Sequence, residues 1–199
     1  MHALSIAVVA LASVLTLPVA MQETFKQDAE GFIRNWLVLA PIPLEGDATG
    51  IDHEFLKGEA SVKPKAGDTA SVGGKSLTWT DHQTSDFFID FRQSFDPNGG
   101  ENVVGYAVTY ILADDQMGLT LSLGTNDQGK AWLNGKEVFK FDGERTLEKD
   151  TDRMPVTLVK GQNVLVLKIG NVVNNWQACA RFMRGETPVT NLKISLTPQ

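Results

Sequence analysis

Two tryptophans in the second half of the chain stand beside short polar clusters, an association suited to recognising sugars. Trp132 follows Asn126-Asp127 by a few residues, and Trp176 directly follows Asn174-Asn175. An indole offers a flat apolar face on which a sugar ring can stack, while amide and carboxylate groups hydrogen-bond its hydroxyls. Trp132, Trp176, Asn126, Asp127, Asn174 and Asn175 are therefore the candidate ligand-binding residues. For Trp132 the reading depends on a face. Alternation along "KAWLNGKEVF" puts Ala131 and Leu133 on one side and Lys130 and Trp132 on the other. If the aliphatic side is core, Trp132 points outward. The alternatives are that it packs beneath a neighbouring loop, or that its own side is the core.

Other residue types offer less. Glycoside cleavage needs two carboxyl groups at a suitable separation in space, and Asp90, Asp114, Asp115, Asp127 and Glu137 are available, but their spacing selects no pair. No catalytic residue is assigned. Asp114-Asp115 in "ILADDQMG" sits where a strand must end, a place that favours side chains able to bond their own backbone. A structural calcium at such an oxygen-rich edge stays open, although no helix-loop-helix calcium loop is present and no other cofactor is expected. Of the histidines, His53 and His82 lie outside the N-terminal segment, and neither has a His or Cys partner at ligand spacing, so no metal site is assigned. The end of a phosphate-binding loop is mimicked by Gly74-Lys75-Ser76, but Thr69 stands where the first glycine is required and "LTWTDH" follows as a strand rather than a helix. No Gly-x-Ser-x-Gly elbow occurs. Cys179, the single cysteine, cannot close an intramolecular disulfide; it is read as a small strand residue rather than a reactive thiol.

The elements that must carry these residues are strands. "WLVLAPIP" reads as a first strand ending at Pro41 and Pro43, because proline lacks the ladder donor. Residues 45 to 76 read as loop, with "GIDHEFLKGEA" the one candidate short helix. Beyond them comes two-residue alternation. Phe87, Ile89 and Phe91 share a face, as do Val104, Tyr106, Val108 and Tyr110, and Leu119, Leu121 and Leu123. "VTLVKGQNVLVLKIG" reads as strand, Gly161-centred turn and strand, "WQACARF" aligns Trp176, Ala178, Ala180 and Phe182, and "VTNLKISL" closes the series. Asn134-Gly135 marks a tight hairpin, since both central residues must take positive φ. Short strands with turn residues between them and no long amphipathic helix predict an all-β antiparallel sandwich or barrel.

The order "LSLGTNDQGKAWLNGKEV", "VTLVKGQNVLVLKIGN", "NWQACARF" resembles the galactose-binding-domain-like β-sandwiches of bacterial secreted proteins. The pieces are Asn126-Asp127, Trp132 to Lys136, Lys160 to Asn163, and Trp176 to Phe182, with Trp36 and Pro41 matching the opening. The resemblance implies a jelly-roll sandwich, usually non-catalytic, often attached to carbohydrate-active enzymes and glycan-binding in some members.

Residues 3 to 20 contain no charged residue and end in small residues near Ala20, the pattern of a secretory signal. Residues 1–20 are read as a signal peptide and 21–199 as a single domain. An uncleaved membrane anchor is the alternative, since the apolar run is just long enough to span. The rest keeps the formal net charge of -6, with no basic cluster, which argues against nucleic acid and anionic membrane surfaces as partners. The expected function is a secreted or periplasmic non-catalytic module binding a glycan, with no membrane insertion after signal cleavage; the alternative is an envelope domain that binds another protein.

Overall fold

The computed structural model describes residues 23–44 and 50–199. The signal segment, 1–20, lies outside the described residues. The strands in chain order are β1 (Phe25–Lys26), β2 (Asn35–Pro43), β3 (Thr69–Val72), β4 (Lys75–Thr78), β5 (Thr80–Gln83), β6 (Ile89–Asp90), β7 (Val103–Ala113) and β8 (Met117–Asn126). They continue as β9 (Gln128–Leu133), β10 (Lys136–Phe141), β11 (Asp152–Leu158), β12 (Gly161–Asn171), β13 (Gln177–Arg184), β14 (Thr187–Pro188) and β15 (Lys193–Ser195). A single helical turn, α1 (Phe91–Phe95), follows β6, and a 3-10 turn occupies Glu59–Ser61.

These strands form an antiparallel sandwich of jelly-roll type. One sheet runs β1-β15-β7-β12-β9-β10, with β2 pairing β7 and β5; the other runs β11-β8-β13-β14, with β6 on β13. The chain crosses between sheets at β5–β6, β6–β7, β7–β8, β8–β9, β10–β11, β11–β12, β12–β13 and β14–β15. Two-residue alternation is what lets the sheets seal against each other. Leu119, Leu121 and Leu123 of β8 meet Leu165, Leu167 and Ile169 of β12 in one core with Trp176, Ala178, Ala180 and Phe182.

The larger sheet is buried on both faces. Its outer side carries Val104, Tyr106, Val108, Tyr110, Trp132, Val164 and Val166, which form a second apolar cluster with Leu56, Val72 and Trp79. The cover comes from residues 50–79, expected to be mostly loop. It is more ordered than that: β3 and β4 pair across Gly73-Gly74, both at positive φ, so the apparent end of a phosphate loop is a hairpin turn. Only the short 3-10 turn stands where the helix was expected.

One further expectation is corrected by local chemistry, and another is met. "FFIDF" is not one strand: Asp90 accepts from the Gln93 amide at 2.9 Å and caps α1, which starts at Phe91. β2 ends at Pro43 as expected; Pro41 falls where its register on β7 shifts between Leu39 and Ile42, an irregularity that tolerates the missing donor, and Pro43 is the last residue of the strand.

The connection between β10 and β11 folds onto the smaller sheet through Asp150. The Arg181 guanidinium donates to both carboxylate oxygens of Asp150, and the Ser122 hydroxyl donates at 2.6 Å. Arg181 and Ser122 hold the Asp150 carboxyl below the usual carboxylate range against the opposing effect of burial. A carboxylate with a depressed folded pKa contributes stability that is complete above its unfolded value and lost as pH falls through the folded one. Asp150→Ala is expected to cost about 2 kcal/mol near neutrality, and the difference from wild type should shrink below roughly pH 4. Urea unfolding at several pH values measures this; a difference independent of pH would contradict it.

Candidate binding groove

The six sequence-predicted binding residues do not gather into one surface. Trp132 points away from Ala131 and Leu133, as alternation required, but it is 4% exposed beneath the 50–79 segment. Trp176 is fully buried between the sheets, with its ring stacked on Phe91 at 4.9 Å and its Nε1 donating to the Ile169 carbonyl at 3.1 Å. Neither indole offers a face to a ligand, so both stacking assignments are corrected: sheet cover hides the first and core packing consumes the second.

Asn126 and Asp127 are also buried. Asp127 fastens loops. Its Oδ2 accepts from the amides of Val172 and Val173 at 2.9 and 3.4 Å, and its Oδ1 from the Arg145 amide at 3.3 Å. Asn174 and Asn175 are exposed beyond the end of β12, near that same end of the sandwich. Arg92 reaches the Asn174 carbonyl there.

The opposite end carries the larger opening. β9 spans roughly 17 Å at about 3.4 Å per residue, and it separates Gln128 beside Asp127 from Leu133 at the hairpin turn. Around that turn the two sheets part, leaving an open groove of about 710 Å³. The buried Leu119, Leu133 and Val156 make its floor with the half-buried Val138, while Thr157, Lys136 and Arg184 stand exposed around them. Among the described residues no carboxylate lines it.

The turn that shapes this groove is locked by two asparagines. Asn134 and Gly135 have φ of 53° and 80°, the pair of positive values that a two-residue hairpin of this twist needs. Asn134 donates to Asn163 Oδ1 at 2.8 Å and accepts from the Val164 amide at 2.9 Å. Asn163, fully buried, accepts from the Val159 amide and donates to the Val159 carbonyl, both at 2.8 Å. The β9–β10 turn and the β11–β12 crossing are therefore one hydrogen-bonded unit.

The remaining chemistry-bearing groups stay dispersed. Among the described residues no three His, Cys, Asp or Glu side chains gather as a metal-binding set. His82 packs edge-on against Phe95 at 5.1 Å, and burial pulls its pKa down. Glu137 pairs with Lys130 at 3.3 Å and Asp114 with Lys193 at 3.4 Å. Cys179 is buried, and burial pushes its thiol up to about 12, which leaves no thiolate for chemistry near neutrality.

No protein-family model and no curated protein matches the chain. Solved structures do match. A β-glucuronidase from an uncultured Clostridium aligns at 9% identity over 86% of this chain and 31% of that one, with a TM-score of 0.42. A glycosyl hydrolase family 2 member from Bacteroides cellulosilyticus aligns at 10% identity over 79% of this chain and 20% of that one, at 0.41. The PA14 sugar-binding domain from an RTX adhesin aligns at 12% identity over 82% of this chain and 99% of that domain, also at 0.41. This chain thus spans under a third of the two hydrolases. The scores are low, and the β-sandwich assignment rests on this chain's own strand pairing.

Sequence reasoning passed over Lys136 and Arg184, which stand in the groove, because isolated surface cations carry no pattern. It also passed over Lys168, mid-strand in β12. Lys168 is fully buried, donates to the His53 carbonyl and lies 3.2 and 3.3 Å from the Glu59 carboxylate oxygens. Tyr106 donates its hydroxyl to the same carboxylate. Burial pulls the Lys168 ammonium below the ordinary lysine range, with Glu59 opposing; burial, then the bond to Glu59, push the Tyr106 phenol far up. One signal was available for this cover: β7 and β12 read as nearly continuous apolar runs, the mark of strands buried on both faces.

Proposed function

We propose that the chain is an exported, non-catalytic module that binds carbohydrate in the groove at the hairpin end. The observation that carries this is the groove's lining: an apolar floor from both sheets, hydroxyl and cationic groups above it and, among the described residues, no carboxylate. Leu119, Val138 and Val156 can meet the apolar faces of sugar rings, and Thr120 and Thr157 can hydrogen-bond hydroxyls. Glycoside hydrolysis uses two carboxyl groups at the bond, and none of Asp90, Asp114, Asp115, Asp127 or Glu137 lines this groove. Export is read from the uncharged segment over residues 3 to 20. Among the described residues no helix is long and apolar enough to cross a membrane.

Filling the groove tests the reading. Thr157 is exposed on β11, so Thr157→Trp should leave the melting temperature within a few degrees while reducing affinity for a bound polysaccharide at least tenfold, about 1.4 kcal/mol. Binding is measured by affinity electrophoresis and calorimetry against a panel of polysaccharides. A wild-type protein that retains none of the panel, or a Thr157→Trp variant that binds as wild type does, would remove the proposal.

A further inference from the structure

The hairpin turn separates the groove from a smaller cleft of about 180 Å³, lined by Ser61, Lys63, Gln162 and Val164, and Asn134 borders both. The two openings thus flank the hairpin turn and share Asn134. Among the described residues they hold three cations together, Lys63, Lys136 and Arg184, and no Asp or Glu. That is against the composition, since the chain has 24 acidic and 18 basic residues.

Ion pairing separates these three from most of the other cations. Lys130, Lys140, Arg145, Lys149, Arg153 and Arg181 each face a carboxylate within 4 Å. Lys63, Lys136 and Arg184 are exposed and have no carboxylate partner among the described residues. The acids nearest in sequence are already engaged: Glu137 turns to Lys130 at 3.3 Å and Glu186 to Arg153 at 2.9 Å. Asp114 lies in the adjoining cleft that Arg184 also borders, and Lys193 holds it at 3.4 Å.

We infer that the surface across the hairpin turn takes an acidic polysaccharide, with Lys63, Lys136 and Arg184 meeting its anionic groups and the threonines meeting its hydroxyls. This rests on the carbohydrate reading of the groove. A sugar polymer fits better than a nucleic acid, because no aromatic residue lines either cleft to stack a base. The aliphatic floor bordered by hydroxyls suits the faces and hydroxyls of sugar rings, and because the edge strands β10 and β11 also line the groove, an acidic peptide pairing with them is the outcome that polyglutamate competition tests.

The test compares polygalacturonate with its fully methyl-esterified form, which keeps the ring and removes the charge. Chondroitin sulfate separates sulfate from carboxylate recognition, and polyglutamate and a single-stranded oligonucleotide serve as competitors. The expected result is binding of polygalacturonate and at least tenfold weaker binding of the ester. Lys136→Ala and Arg184→Ala should each lose about tenfold, the pair about a hundredfold, with unchanged melting and steep weakening by salt. Preference for chondroitin sulfate over polygalacturonate would keep the acidic-polymer inference and assign the anion as sulfate. Equal binding of the ester, unchanged affinity in the double variant, or stronger binding of polyglutamate or the oligonucleotide would overturn it. If neutral polysaccharides bind and Thr157→Trp abolishes that binding, only the charge preference falls. If no polysaccharide binds at all, the carbohydrate reading falls with it.

Discussion

Lys168→Ala is expected to destabilise the protein by roughly 3–5 kcal/mol, the scale on which removing one member of a buried ion pair leaves the other uncompensated. Glu59 is 7% exposed, and its carboxylate oxygens are held by the Lys168 ammonium and the Tyr106 hydroxyl. Without the ammonium, the carboxylate must take up a proton, recruit water or leave the sheet. Leaving would pull away the 3-10 turn of Glu59–Ser61 and expose the apolar patch around Tyr106 and Trp132. Urea unfolding should show the loss, and hydrogen exchange should show it concentrated in residues 50–79. Glu59→Gln should cost a comparable amount, because it leaves the fully buried Lys168 ammonium without a carboxylate. The combination Lys168→Met, Glu59→Leu, Tyr106→Phe should recover most of the stability, since well-packed apolar replacements of buried pairs are often neutral or better. A Lys168→Ala variant within 1 kcal/mol of wild type would show that the pair is not needed to hold the segment down.

That segment also explains what the sequence could and could not disclose. The inward positions of β8 and β13 followed from period-two alternation, because apolar residues on one face alternate with small or polar ones on the other: Leu119, Leu121 and Leu123 against Thr120, Ser122 and Gly124, then Trp176, Ala178, Ala180 and Phe182 against Gln177, Cys179 and Arg181. The hairpin turn was equally legible, since Asn134-Gly135 encodes its own dihedral angles. Trp132 was not. Its face is decided by Leu56, Val72 and Trp79, which arrive from more than 50 residues away in a stretch whose local composition reads as loop. The groove was illegible for a related reason. Thr157, Lys136 and Arg184 come from three strands in two sheets and meet only once those sheets part at their ends. Asn134 and Asn163, read as turn formers, proved to brace one side of it against the other. Asn126 and Asp127 were noticed for the right reason, a polar pair at a strand end, but both are buried: Asp127 spends its carboxylate on loop amides, and the Asn126 Oδ1 has no partner among the described residues.

Trp176→Ala should lower stability by about 3–5 kcal/mol, the range for deleting a large aromatic side chain from a core. The ring is wholly enclosed, so its apolar contacts and the Nε1 bond to Ile169 are lost together. Gly105 provides an independent check on the same geometry. A Cβ built there would lie 2.7 Å from the Trp176 ring and 3.1 Å from the Ala40 side chain, so the indole takes the space a side chain at 105 would need. Gly105→Ala should therefore cost about 1–3 kcal/mol by overpacking. Its cost should fall when Trp176 is phenylalanine, because the smaller ring yields room, giving a coupling above about 0.5 kcal/mol in a double-mutant cycle. Additive costs would mean the two positions do not compete for space. A stacking role for Trp176 makes the opposite demand on the same variant. Ligand binding would vanish while the melting temperature stayed near wild type, whereas a core role lowers the melting temperature and leaves the affinity of the remaining folded protein for ligand in the hairpin-end groove unchanged.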